Sequence, residues 1–453
     1  MTAAERFAEW ALGLELTAVP RPVVEAAKLH VLDLLGCGLA ADGLGVATEG
    51  RTTMAELGGE PEASVIGLDA QLPAPNASFA NAMLCHGLDF DDTHSDSVAH
   101  VSTVVVPAAL ALAEAHGASG ADVLAAVIAG NEVVTRIGMA TPGAFHRRGF
   151  HPTAVCGIFG ATVAAARLGR LSREQAASAF GIAGSMASGL FAYLDDATAT
   201  KPIHPAWAAH GALLAARLAA HGAEGPPGVL EGRFGLFHAF VDTRVDLEPQ
   251  LADLGERWET PRIAFKAYPA CHFSHGSLGA TETLLERLDP AQIADVVVTV
   301  PEAGVSLVLE PAASKVAPRS EYEGKFSLQY STAALLVHGR VGLATYTPEA
   351  LADAEVRDLA AKVRYETKEY ESYPAAFPGG VRIVLNDGRT LEADLPYQLG
   401  APENPMTAEQ VRAKFRDNAA LAGGRFERLE ERILTLEEAA DVRGLLTGER
   451  VAA

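Results

Sequence analysis

The run "GLDFDDTHSDSVAHVSTVVVP" gathers Asp89, Asp91, Asp92, Thr93, His94, Asp96 and His100 and then turns abruptly apolar. Carboxylates and imidazoles at this density can hold a metal, cap a helix or move protons in a pocket. Calcium spacing fails, because His94 stands where the loop needs glycine and His100 where it needs glutamate. Zinc spacing fails as well, for want of HExxH or any comparably compact pattern. A solvated loop with an aspartate helix cap is the plainer alternative. The apolar helix that follows at once argues against it, since His100 and Ser102 would then mark a buried helix entrance.

Three further stretches carry polar residues without helical or strand periodicity. In "HRRGFHPTAVCGIFGA", Pro152 suits a first helical turn and leaves His151 beside a positive helix end, which favours neutral imidazole and anionic ligands. In "DDATATKPIHPAWAAHGALLAARLAAHG", Lys201 precedes a helix that begins near Pro202 or Pro205. "RIAFKAYPACHFSHGSLGA" brings Lys266, Cys271, His272 and His275 to a change in chain texture. A Cys–His pair is conceivable there, but the wider context of a thiol hydrolase is missing. Lysines, histidines and an aspartate, all on loops and helix starts, together suit the binding of carboxylates and the movement of a proton at the neighbouring carbon. Lysines that are close together or partly buried would lose basicity and serve as bases near neutral pH.

The elements that must position these groups fall into two textures. From Pro20 to about Gly222 the chain reads as consecutive Ala- and Leu-rich helices, apolar around much of their circumference, as in a large bundle. Ser172 with Gln175 forms a capping box before "AASAFGIAGSMASGL", whose glycines and serines fit close helix packing. Near residue 263 β-branched runs begin: "IADVVVTVPE", the candidate strand "VRYETKEY", and a hairpin, "VRIVLNDGRTLEADLPY", that turns at Asn386-Asp387-Gly388. "KFSLQYSTAALLVHG" between them reads as helix. The expectation is a mainly α protein: a helical domain over 1–262, an inserted α+β lid over 263–399, and C-terminal helices over 400–453 packing back on the first. Thr407 and Gln410 make a second capping box in that last segment.

At 453 residues, 49% apolar and 21% charged, the chain is expected to be globular with two domains. Its net charge of −21 has no basic stripe set against it, which speaks against nucleic acid or an anionic membrane as partner. An anionic substrate would have to be drawn in by a local cationic cluster. Cys37, Cys85, Cys156 and Cys271 are scattered, as reduced thiols of a cytoplasmic protein would be. "MTAAERFAEWALGLEL" reads as an amphipathic helix rather than a signal peptide, and Pro107 and Glu114 interrupt the best membrane-length run. A soluble protein is expected.

With these residues in place, the chain resembles the MmgE/PrpD family, which includes 2-methylcitrate dehydratase, cis-aconitate decarboxylase and iminodisuccinate epimerase. The resemblance rests on "LDFDDTH" with His100 following, "GFHPT", "TKPIHPAWAAHGALLA", "FKAYPACHFSH" and "KFSLQYSTAALL", in that order, and spans essentially the whole chain. It implies a large helical domain with a smaller α+β lid, an active site between them, a homodimer, and no metal or organic cofactor. The homodimer would also give the very apolar helices around 101–140 more partners than one small bundle supplies. Asp89, Thr93 and His100 match the first motif, His151 the second, Lys201 the third and Lys266 the lysine that opens the lid. His151 or Lys266 would be the base, His100 the acid and Lys201 an electrostatic partner. Asp89, Thr93, His272 and His275 would bind substrate, a small di- or tricarboxylate, with 2-methylcitrate dehydration as the leading example. Departures also occur: Ser95 and Val101 follow the motif histidines where relatives often have proline. His272 stands where many have arginine, and Ala206 where many have glycine. A lost arginine is a lost bidentate clamp for a carboxylate.

Overall fold

The computed structural model describes residues 1–194, 198–424 and 426–446. Helix accounts for 56% of the chain and strand for 9%, so the fold is mainly α. Two compact units emerge, one formed by Met1–Ala264 with Thr407–Ala453 and the other by Phe265–Met406.

In the first unit, apolar circumference translates into burial. The helices Ala74–His86, Ser102–His116, Gly120–Met139 and Pro152–Leu168 pack against one another with almost every side chain inside. Glycines set some of the closest approaches. At Gly160 an added Cβ would lie 2.3 Å from Val134 and 2.5 Å from the Gly130 carbonyl oxygen. The apolarity of 101–140 therefore gives no separate argument for a dimer, because neighbouring helices of the same unit already bury it. No single helix among the described residues is long and apolar enough to cross a membrane.

Local signals in the sequence become caps here. Ser172 and Gln175 close a capping box at Arg173–Gly184, as do Thr407 and Gln410 at Ala408–Ala420. The first of these helices stops at Gly184, short of the Ser188-Gly189 continuation read from its small residues, and Ser185 is its C-cap. The Ala408–Ala420 helix returns to the long Arg21–Leu44 helix, where Lys414 Nζ sits 2.8 Å from Asp33 Oδ1.

The second unit carries a four-stranded sheet in the order β2-β1-β3-β4. β1 is Ile293–Val300, β2 Val363–Thr367, β3 Gly379–Leu385 and β4 Thr390–Leu395. β1 runs parallel to β2 and antiparallel to β3, and β3 pairs antiparallel with β4 from Val384↔Thr390 to Gly379↔Leu395. The β3–β4 turn needs Gly388 at φ +84°, which explains Asn-Asp-Gly there. Val296, Val298, Val381 and Ile383 face a core shared with Leu278 of the His272–Glu282 helix and with Tyr330 and Leu335 of the Leu328–His338 helix.

Candidate active site

The Asp/His run begins where the Ala74–His86 helix ends. Asp89 N–H donates to the His86 carbonyl, and Asp89 takes φ +53°, a left-handed conformation unusual outside glycine but tolerated by aspartate. The reversal sends successive carboxylates to different partners. Asp89 Oδ1 lies 2.7 Å from Lys201 Nζ and 3.5 Å from His100 Nε2. Asp91 Oδ2 accepts from His86 Nδ1 at 2.8 Å and lies 3.2 Å from His100 Nδ1. Asp92 turns away to His30 Nδ1 at 2.8 Å and accepts from the backbone and hydroxyl of Ser102. It thus caps the Ser102–His116 helix, as the plainer reading of the run allowed, but it is buried rather than solvated.

The other end of the run is fixed by backbone pairing. Thr93 N–H donates to the Ala264 carbonyl at 2.9 Å, and Ala264 N–H returns to Thr93 at 2.7 Å. His100 N–H donates to Thr153 Oγ1 at 2.9 Å, which ties it to the first turn of the Pro152–Leu168 helix. His151 is the N-cap of that helix, and its N–H donates to the Gly189 carbonyl. Gly189 has φ +116°, and an added Cβ would lie 3.4 Å from the His204 ring, so glycine is required there. Lys201 precedes the Ile203–Ala220 helix, where His204 occupies the first turn.

Four imidazoles therefore meet. His86 and His100 are edge to face at 4.6 Å, His100 and His151 lie 6.2 Å apart, and His151 and His204 lie 5.3 Å apart with their Nδ1 atoms 3.1 Å from each other. Burial sets the charge of His100, His151 and His204. His100 and His204 are each pushed down to about 4, chiefly by burial; Lys201 adds to this in both, and for His100 the neighbouring Asp91 only partly offsets it. His151 falls well below the usual imidazole value, for burial first and then for the nearby Lys201. Asp91 would be raised by burial, but His86 and His100 together hold it well below the carboxylate range.

Burial pushes His100 down to about 4, so it starts as an acceptor at neutral pH, and the acid role implied by the resemblance would require it to take up a proton first. Lys201 does not lose basicity through partial burial. Burial by itself lowers it, but Asp89, Tyr193 and Asp91 together more than offset that cost and raise it, so Lys201 is a fixed cation. His86, Asp89 and His100 bring ligand-type atoms within 4.8 Å of one another. A metal ion there would have to displace the Lys201 ammonium from Asp89.

The remaining expected residues belong to the second unit. Lys266 is buried near its start, and His272, half-buried, stacks on Phe377 at 4.8 Å. His275 has no exposed surface, and its Nε2 lies 3.1 Å from the Ala270 carbonyl. Through that contact His275 braces the turn ahead of its own helix. Three residues of the imidazole cluster are not singled out by the sequence reading: His86, Asp91 and His204. The signals available for the two histidines were their places three residues before Asp89 and three after Lys201.

Residues 5–248 match the MmgE/PrpD N-terminal domain and residues 268–441 the MmgE/PrpD C-terminal domain. The chain belongs to the MmgE/PrpD family. It is 30% identical to the cis-aconitate decarboxylase of Homo sapiens over 98% of this chain and 93% of the human one. It is equally similar to the cis-aconitate decarboxylase of Aspergillus terreus, covering 96% and 94% of the two chains. The cis-aconitate decarboxylase-like protein oryM of Aspergillus oryzae also matches at 30%, over 96% and 95%. As a member of this family the chain is an enzyme of lyase type.

Proposed function

We propose that the enzyme is a cofactor-independent lyase that moves a proton beside a carboxylate of a small di- or tricarboxylate. The observation that carries this reading is the placement of a fixed cation, Lys201, among neutral imidazoles in one buried cluster. Lys201 would bind a substrate carboxylate and stabilise the enolate-like charge that develops when the adjacent carbon loses a proton. His151 would act as base in its neutral form, and His100 would accept or relay a proton rather than start by giving one. Lys266 is a second candidate base, supported by its motif match. Asp89 keeps Lys201 charged and in place, and Thr93 and His272 are proposed substrate contacts.

Decarboxylation, dehydration and epimerisation all pass through such a carbanion-like species, so the same residues serve each. The relatives' names put cis-aconitate first among substrates, and 2-methylcitrate, the leading candidate from the sequence, second. Iminodisuccinate follows as the epimerisation case. A homodimer remains part of the proposal on the strength of the resemblance. The test is turnover of purified enzyme on this panel with product identification, carbon dioxide release reporting decarboxylation and a new alkene without it reporting dehydration. Folded protein that turns over none of the panel would overturn the reading.

A further inference from the structure

Asp91 has no exposed surface and touches no candidate substrate group, yet it sits between two imidazoles. Its Oδ2 lies 2.8 Å from His86 Nδ1 and 3.2 Å from His100 Nδ1. The contact with His86 is a hydrogen bond, whereas His100 Nδ1 is buried beside Asp91 without an aligned hydrogen-bond partner among the described residues. An ionised carboxylate has no proton to give, so any hydrogen bond it makes with either ring must be donated by the imidazole. A neutral imidazole has one N–H, and if it is spent on Asp91 at Nδ1 then Nε2 is left with a lone pair.

The other ring nitrogens agree with this assignment. His86 Nε2 is buried and has no hydrogen-bond partner among the described residues, so no neighbour there requires it to donate. His100 Nε2 stands 3.5 Å from Asp89 Oδ1, too far for a good hydrogen bond, as suits two acceptors that share no proton.

We infer that Asp91 is a positioning residue that fixes His86 and His100 together as Nδ1–H tautomers, so that His100 Nε2 enters each turnover unprotonated and facing Asp89. The assignment deepens the proposed lyase reading, and only its kinetic arm rests on that reading. His86 is then the second half of the device, since it holds the shared carboxylate through the 2.8 Å bond from Nδ1. Both rings address the same oxygen, so an asparagine could keep its amide oxygen there and accept from both; alanine, which removes the shared acceptor, is the informative change.

The test is long-range ¹H–¹⁵N correlation on full-length enzyme labelled with ¹⁵N-histidine, with signals assigned through His86→Gln and His100→Gln. In wild type at neutral pH both rings should show Nδ1 protonated and Nε2 bare. In Asp91→Ala at least one ring should change tautomer, and kcat on the best substrate should fall by about 10²-fold or more with little change in KM. An Nε2–H on either ring of the wild type overturns the inference, whether or not the variant folds. Unchanged tautomers in Asp91→Ala, or changed tautomers with unchanged kcat, overturn it too. Because the spectra are read without substrate, failure of the whole substrate panel would count against the lyase reading and leave this assignment standing.

Discussion

Replacing Lys414 by methionine should weaken the helical unit and disturb the Asp/His run together. Lys414 comes from the Ala408–Ala420 helix, with Nζ 2.8 Å from Asp33 Oδ1 and 2.9 Å from the Phe90 carbonyl, and it lies 3.8 Å above the Phe90 ring. Phe90 separates Asp89 from Asp91, so one ammonium pins the backbone between the two carboxylates that address the imidazoles. Both members of the ion pair are buried. Removing one partner of a buried pair costs about 3–5 kcal/mol, because the other is left without compensation. For a unit of this size that corresponds to a loss of roughly 10 °C in Tm. The penalty should also depend on pH. Burial already raises the Asp33 carboxyl despite the pull of Lys414, and without Lys414 it rises further. The folded variant then holds a proton that the unfolded chain releases, so stability falls as pH rises between the ordinary and the raised values. The slope is at most about 1.4 kcal/mol per pH unit. Melting curves for wild type, Lys414→Met, Asp33→Asn and the double variant at pH 5.5 and 8 provide the assay. The single Lys414 variant should be worse at pH 8, the double variant should recover at least about 1 kcal/mol, and kcat should drop about tenfold. A penalty independent of pH, or a double variant as unstable as the summed singles, would refute the buried-pair argument.

His151→Ala and Lys266→Ala should each lower turnover by about 10²-fold or more, the usual scale for a positioned acid or base. Asp96→Ala should stay near wild type, because its contact with Arg262 is long, at 3.8 Å, and solvent-exposed; the reverse order in folded proteins would sink the assignments. The acid limb of kcat/KM should lie well below the ordinary histidine value of 6.5, since His100 and His204 charge only near about 4. A midpoint at 6.5 or above, measured on protein that remains folded, would contradict neutral buried imidazoles. Activity should survive exhaustive chelation, because Lys201 already provides the positive charge beside Asp89; loss to chelator with recovery on adding a divalent ion would contradict that.

Much of the fold could be read locally, because the signals that specify it are local. The Asn-Asp-Gly turn, the two capping boxes and Pro152 after His151 each act within a few residues, and each stands where the spacing placed it. The site was legible as a set of segments. Its geometry was not, because the deciding partners are remote in the chain. Asp92 is a cap for Ser102 that also needs His30, and Phe90 is held by Lys414 from 324 residues further on. The charge states were hidden for the same reason. Lys201 reads as a partly buried lysine until Asp89 is placed 2.7 Å away, and His100 reads as a plausible acid until its burial is known. Among neighbouring aspartates, Asp91 looks like one more structural acid until His86 and His100 are seen to converge on it.

The most direct measurement of the central claim is proton exchange followed by NMR in deuterated buffer, with cis-aconitate, 2-methylcitrate, citrate and iminodisuccinate offered in turn. The expected result is deuterium at a carbon next to a carboxylate in at least one substrate or its product, with the rate cut about 10²-fold or more in His151→Ala. Folded enzyme that incorporates no deuterium and forms no product from any of the four, or incorporation that His151→Ala leaves unchanged, would contradict proton transfer by the imidazole cluster.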